Sequence, residues 1–186
     1  MADYPNAYMV GRNLWLRALS PSDAEGGWHQ WLSDEDVRRW LPRWEPNTVE
    51  KQIDFLQSAE KNPNALILGA FDKDQSKHIG IGSLRDINWV HGFADMAIII
   101  GDTDARENST YGLELSALMV KIAFMNLNLR NIRGGYMASN KKSQGILKAL
   151  GFRDIGAFKD MFKIDNQLDD HVLVQLDRES WLERNG

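Results

Sequence analysis

Residues 111–126 are apolar on nearly every side of a helix. Leu113, Leu115, Leu118, Met119, Val120, Ile122, Ala123, Phe124 and Met125 fall all round the axis. A surface helix keeps one polar face, whereas a helix apolar all round is covered on most sides. Whatever this chain folds into has to wrap that segment. Residues 13–19 alternate, with Leu14, Leu16 and Ala18 on one face and Trp15, Arg17 and Leu19 on the other, the period of a strand. Runs at 65–71, 78–87 and 93–100 are separated by short polar turns and predict an antiparallel meander. Runs at 132–137, 153–164 and 171–176 add strands, and 140–150 a helix that Gly151 ends. Between the first strand and the meander, Ser20 can cap a helix that has Pro21 at its first position and carries Trp28, Trp31 and Leu32. Asn47 or Thr48 can cap a second, with Val49, Ile53, Phe55 and Leu56, ended at Asn62-Pro63-Asn64. The order predicts an α+β (mixed α/β) class: a central mixed sheet of about seven strands with helices on both faces.

The chain has 186 residues and no repeat or linker, so one domain over residues 8–182 is expected. A formal net charge of −4 lacks the basic footprint that phosphate-backbone binding needs, so no nucleic-acid partner is expected. The absence of Cys excludes disulfides, thiolate nucleophiles and thiolate metal sites, and no metal is called for. With no long uncharged apolar stretch and no apolar run in residues 1–13, no membrane association and a cytoplasmic location are expected. Five of the seven Trp (Trp15, Trp28, Trp31, Trp40 and Trp44) fall within the first 44 residues. They supply either core aromatics or the wall of a binding surface.

Two segments carry chemistry. The strand run ending at Gly101-Asp102 leads through a polar loop, 103–110, into the buried helix. Such a turn presents unpaired backbone N–H groups at a helix N-terminus, an anion site by geometry and dipole, and pyrophosphate is the obvious ligand class. The second segment has Asn140, Ser143 three residues later, Leu147, and Gly151-Phe152 eleven and twelve residues after Asn140. An Asn directly after a strand can also simply cap the next helix.

The order and spacing of these elements resemble the GNAT superfamily of acetyltransferases. Within it they resemble the Rim-type branch, the relatives of the ribosomal-protein N-terminal acetyltransferases. Gly11-Arg12, the run from Leu14 to Leu19, Asp23-Ala24, Trp31-Leu32, the run from Asp36 to Leu41 and the run from Ile79 to Leu84 carry the same resemblance. It implies acetyl-CoA as co-substrate and direct transfer to a primary amine. It places the pantetheine arm against Ile98, Ile99 and Ile100. The pyrophosphate falls on Glu107, Asn108, Ser109, Thr110, Tyr111 and Gly112, with further cofactor contacts from Asn140 and Ser143. The loop departs from the family pattern, which usually has a basic residue or Gln where this chain has Glu107 and a Gly where it has Thr110. Arg106 is the nearest compensating charge. Leu147 holds the position at which many members carry a Tyr that protonates the leaving thiolate.

The amine has to be neutral to attack, so a base is needed. Asp95 is the first candidate and Glu114 the second, although a carboxylate at a helix start is also placed by the dipole alone. Ser143 and Tyr136 are the hydroxyls that could serve as the acid. An oxyanion would be held by a backbone N–H near Ile99 or Ile100. His78 and His91 are expected at the surface. Trp40, Trp44, Arg43 and Trp89 could stack on a sugar ring or hold a peptide end, so the acceptor is a small-molecule or peptide amine. An amino sugar, nucleotide-linked or not, and a protein or peptide N-terminus both fit. A non-catalytic acyl-CoA-binding module is the alternative, and the chain would work as a monomer or homodimer.

Overall fold

The computed structural model describes residues 4–42 and 45–185. Its strands are β1 (Met9–Val10), β2 (Leu14–Arg17), β3 (Leu66–Asp72), β4 (His78–Asn88), β5 (Phe93–Ile100), β6 (Asn131–Met137), β7 (Arg153–Ile164) and β8 (Gln167–Asp177). They form one sheet in the order β1-β2-β3-β4-β5-β6-β8-β7. Every neighbouring pair is antiparallel except β5–β6, which is parallel. The mixed sheet expected from the sequence is present. Its eighth strand, β1, is a two-residue pairing too short to show a period.

The helices are α1 (Pro21–Asp23), α2 (His29–Trp31), α3 (Glu35–Arg38), α4 (Val49–Lys61), α5 (Thr103–Glu107), α6 (Ser109–Lys121), α7 (Lys141–Leu150) and α8 (Arg178–Asn185). Wider turns at Ala24–Trp28 and Ile122–Asn126 join α1 to α2 and extend α6. The first expected helix is broken because Gly26 takes a non-helical ψ of −161°. Thr48 caps α4 by accepting from the Lys51 amide at 3.3 Å, so of the two candidates it is the cap.

The all-round apolar segment does become the centre of the core. Leu115, Met119, Val120, Ile122, Ala123 and Phe124 are fully buried against Leu14, Leu16, Leu84, Ile132 and Leu176. Fully burying one such side chain contributes roughly 1.5–3 kcal/mol, so this packing is the main force that fixes the sheet. Of the run's apolar side chains, only Leu113 and Met125 stay exposed. The opposite face of the sheet packs Trp28 and Trp31 with Ile53, Phe55, Leu56 and Ile81. Trp15, Trp28 and Trp31 are buried core aromatics. His78, expected at the surface, sits among the rings of Trp28, Trp31 and Phe71, with centroids 6.0, 4.9 and 4.8 Å away. Burial holds its imidazole down to about 4, so it is neutral at pH 7.

Helices cover this second face only in part. The outermost strand, β7, is exposed almost throughout, and Ile155, Phe158, Met161 and Leu168 of the β7–β8 hairpin stand in solvent.

Candidate active site

The parallel pair at the middle of the sheet is short. Phe93, Ala94 and Asp95 pair with Asn131, Ile132 and Arg133, and the pairing stops there. Beyond it β5 stays on β4 as far as Ile100, and β6 stays on β8 as far as Met137. The two strands diverge into a V-shaped gap.

Backbone polarity inside the gap follows from the register. Gly101 N donates to Ile79 O, and Ala97 O accepts from Ser83 Oγ at 3.3 Å, so the odd-numbered residues of β5 point at β4. Met96 O lies 3.3 Å from where a Cβ on Gly134 would be, so the even-numbered residues point at β6. N–H and C=O directions alternate along a strand. Ile98 and Ile100 therefore turn their amides into the gap, where no strand pairs with them. Ile99 turns its amide to β4. Of the two oxyanion candidates, Ile100 faces the gap and Ile99 does not.

On the α6 face, the segment expected as a loop is largely helical. Asp102 caps α5 by accepting from the Ala105 amide at 3.1 Å, and Asn108 caps α6 by accepting from the Thr110 amide at 3.0 Å. Short side-chain caps of this kind replace water on free helix donors and set where a helix begins. Glu107, Asn108, Ser109 and Thr110 are exposed, and Gly112 is buried with Ile100 and Ile146 as its nearest neighbours. Tyr111 turns away from this N-terminus and donates its hydroxyl to Asp72. That bond to a carboxylate holds the phenol up to about 12. Arg106 does not compensate for Glu107: its guanidinium donates to Asp34 at 2.5 Å. Lys142 of α7 instead reaches the same corner, with Nζ 3.3 Å from Arg106 O.

Asn140 caps α7, its side chain accepting from the Ser143 amide at 3.0 Å. The pair is brought together as the spacing implied, and the bond between them is a helix cap. Tyr136 is buried and donates to Asp154 at 3.2 Å while accepting from Gln144 at 3.0 Å. Leu147 is in the core.

The two candidate bases are occupied. Asp95 lies at the closed apex of the V and is held by Arg133 through bonds of 2.9 and 3.0 Å. Glu114 does not reach the gap. It accepts from the amides of Asn13 and Leu14 at 2.8 and 3.2 Å and from the Asn13 side chain at 2.8 Å. Its position in the second turn of α6 puts it beside β2, and it clamps the start of that strand.

Trp40 and Trp89 are not brought together. Arg39, whose guanidinium lies 5.3 Å from the Trp40 ring, pairs with Asp165 at the tip of the β7–β8 hairpin, so Trp40 borders the open end of the V. Trp89 is in the β4–β5 turn at the closed end and donates to Pro63 O at 3.2 Å. Arg43 and Trp44 lie outside the described residues. A cavity of about 350 Å³ opens beside the end of β5, lined by Gly27, Gln30, Trp31, Asp34, Asp102 and Thr103. A Cβ on Gly101 would fall within the Trp31 ring, so this strand end and α2 are in direct contact.

A half-bridged strand beside a helix N-terminus suits an amide-bearing arm ending in a polyanion. Comparison with known proteins agrees. The acetyltransferase (GNAT) domain family matches residues 13–153. The chain is 30% identical to the [ribosomal protein uS5]-alanine N-acetyltransferase of Escherichia coli, over 97% of this chain and 95% of that one. In fold it is similar to the spermidine N-acetyltransferase from Vibrio cholerae in complex with CoA and spermine, with a TM-score of 0.82 and 20% identity over 91% of this chain and 98% of that one. A dodecameric structure of spermidine N-acetyltransferase from the same organism gives 0.78 at 22% identity, over 94% and 99%.

This chain belongs to the GNAT acetyltransferase family. It is an acetyl-CoA-dependent N-acetyltransferase, and the Rim-type resemblance holds in its 30% identical relative.

Proposed function

We propose that this enzyme acetylates the N-terminal amine of a protein or peptide. The observation that carries the reading is the V between β5 and β6, with the Ile98 and Ile100 amides turned into it. The acceptor class is supported by the relative that N-acetylates an alanine of a ribosomal protein. Charge supports it as well. Asp34, Asp95 and Asp165, three of the carboxylates around the gap, are matched by Arg106, Arg133 and Arg39, and Asp170 by Lys159. A polycationic acceptor needs carboxylates left unpaired, whereas one terminal amine followed by a peptide does not. An amino sugar on Trp40 is the second reading, favoured by the aromatic ring at the open end.

In this reading the pantetheine arm pairs with Ile98 and Ile100, and the pyrophosphate takes the N-terminus of α6 from Ser109 to Gly112. Lys142 supplies the positive charge that Glu107 lacks. Asn140 and Ser143 shape the start of α7 beside the thioester. The amine nitrogen attacks the acetyl carbon, and a gap-facing β5 amide receives the oxyanion. Transfer is direct, and the absence of a Cys nucleophile is consistent with that. The domain runs from 8 to 182, because β8, which lies beyond the residues the family matches, is the strand that holds β6 away from β5. No helix among the described residues is long and apolar enough to cross a membrane. A cytoplasmic enzyme is the reading that goes with a ribosomal-protein type of acceptor. The bare β7 edge favours a homodimer over a monomer.

The test is thiol release from acetyl-CoA with a panel of an alanine-initiated peptide, a nucleotide-linked amino sugar and spermidine. The peptide is expected to turn over fastest. Binding of acetyl-CoA without thiol release for any amine would leave only an acyl-CoA-binding module.

A further inference from the structure

We propose that His171, on β8, is the general base that takes the proton from the attacking amine. The proposal rests on the transferase reading above and adds the residue that none of the carboxylates supplies.

Position is the first argument. His171 pairs with Met137 in the β6–β8 register, and its ring reaches diagonally over Gly135. A Cβ on Gly135 would overlap His171 Nε2, so the imidazole lies directly on the β6 backbone. Gly134 and Gly135 are the first residues of β6 after its pairing with β5 ends at Arg133. The ring nitrogen thus stands at the lip of the V, just past its apex.

Facing is the second. Val174 and Leu176 of β8 are buried in the α6 core, and side chains alternate along a strand, so His171 projects from the other face. The α6 N-terminus approaches the gap from one side of the sheet and His171 waits on the other. An acceptor entering opposite the co-substrate meets the imidazole first.

Chemistry is the third. Phe158 and Phe162 flank the ring at centroid distances of 6.3 and 5.2 Å. Burial lowers the affinity of the imidazole for a proton, so the ring is neutral at pH 7. Among the described residues neither ring nitrogen makes a hydrogen bond. A neutral, half-buried, uncommitted imidazole is poised to accept a proton near neutral pH. The rivals are bound elsewhere: Asp95 to Arg133 and Glu114 to Asn13 and Leu14.

In the step itself, the amine lone pair forms the C–N bond to the acetyl carbon as an N–H proton passes to His171 Nε2. Collapse of the tetrahedral adduct breaks the C–S bond. The thiolate then takes its proton from the imidazolium, which returns the ring to neutral, or from solvent, to which the imidazolium then loses its own.

The charged groups on the strand segments around the ring are Asp169 and Asp170 on β8, Lys159, Asp160 and Lys163 on β7, and Arg133 on β6. Asp169 is held by Ser139, Asp170 by Lys159, and Arg133 by Asp95. The test compares wild type, His171→Gln and His171→Ala across pH, using the amine of the panel that turns over fastest. Loss of a general base is expected to lower kcat about a hundredfold. The acid limb of the wild-type profile, falling at a pH below the usual histidine value, should vanish in both variants. Unchanged acetyl-CoA affinity and melting temperature would show that both remain folded, and added imidazole should restore part of the His171→Ala rate. Variants that keep the wild-type kcat and acid limb would overturn the assignment while leaving the transferase intact. A wild type that binds acetyl-CoA and transfers to no amine would overturn the transferase reading, and this inference with it.

Discussion

The two halves of the sheet are built to opposite rules. From β2 to β5 both faces are covered. Core side chains from α6 pack one face, and Trp28, Trp31 and their neighbours pack the other. In β6 and β8 it is mainly the α6 face that is covered, and β7 beyond them is exposed nearly end to end. The gap between β5 and β6 is the seam. The difference teaches where precision is held: the closed half fixes the amides of Ile98 and Ile100, and the open half leaves the room that the proposed acceptor and proton carrier need. The same bareness that makes β7 a liability as a sheet edge keeps the acceptor side reachable.

Mutations can break this contrast, the largest effects coming from the closed half. Gly101→Ala puts a methyl into the Trp31 ring and is expected to cost about 3 kcal/mol in denaturant melts, because ring and strand end both have to move. A cost under about 1 kcal/mol would mean that this contact is soft. Acid titration gives an effect of similar size. His78 binds its proton less well folded, at about 4, than unfolded, at 6.5. The unfolded state therefore takes up more protons, and stability falls as pH drops through that window, by up to about 3 kcal/mol. Melts of His78→Phe should show a shallower slope between pH 6.5 and 4.5.

Glu114→Gln separates the clamp from catalysis. It weakens the bonds to the Asn13 and Leu14 amides and should cost about 1–2 kcal/mol of stability with kcat unchanged. A large fall in kcat without loss of stability would return Glu114 to the reaction. Lys142→Gln is expected to raise the dissociation constant for acetyl-CoA about tenfold at low salt, an effect that shrinks as salt is added. The same change should leave binding of acetyl-pantetheine, which lacks the phosphates, unaltered. The open half gives the smallest effect: Phe158→Ser should shift stability by less than about 0.5 kcal/mol.

Much of the closed half was legible in the residues. Strand-like runs set off by short polar turns gave β3 to β5 nearly to the residue, and the apolar run at 111–126 announced a buried helix, because burial writes itself into local pattern. Asn140 and Ser143 were found together for the same reason, since a cap is a three-residue relation. Long-range relations were not legible. Glu114 reads as a helix-start acid until β1 and β2 bring Asn13 against it. Arg106 reads as a phosphate ligand until Asp34 claims it. His78 reads as a surface residue at a strand start because nothing local shows that three aromatic rings converge on it. His171 left one sign: the doubled glycine at 134 and 135 inside a strand, which marks a place where something approaches the backbone closely.

The central claim is that the even-numbered amides of β5 receive the co-substrate. Residue-resolved amide exchange, with and without acetyl-CoA, tests it directly. In the free enzyme Ile98 and Ile100 should exchange fast and Ile99 slowly, and acetyl-CoA should slow Ile98 and Ile100 while leaving Ile99 as it was. Protection appearing at Ile99, or none at Ile98 and Ile100 with acetyl-CoA bound, would contradict the account.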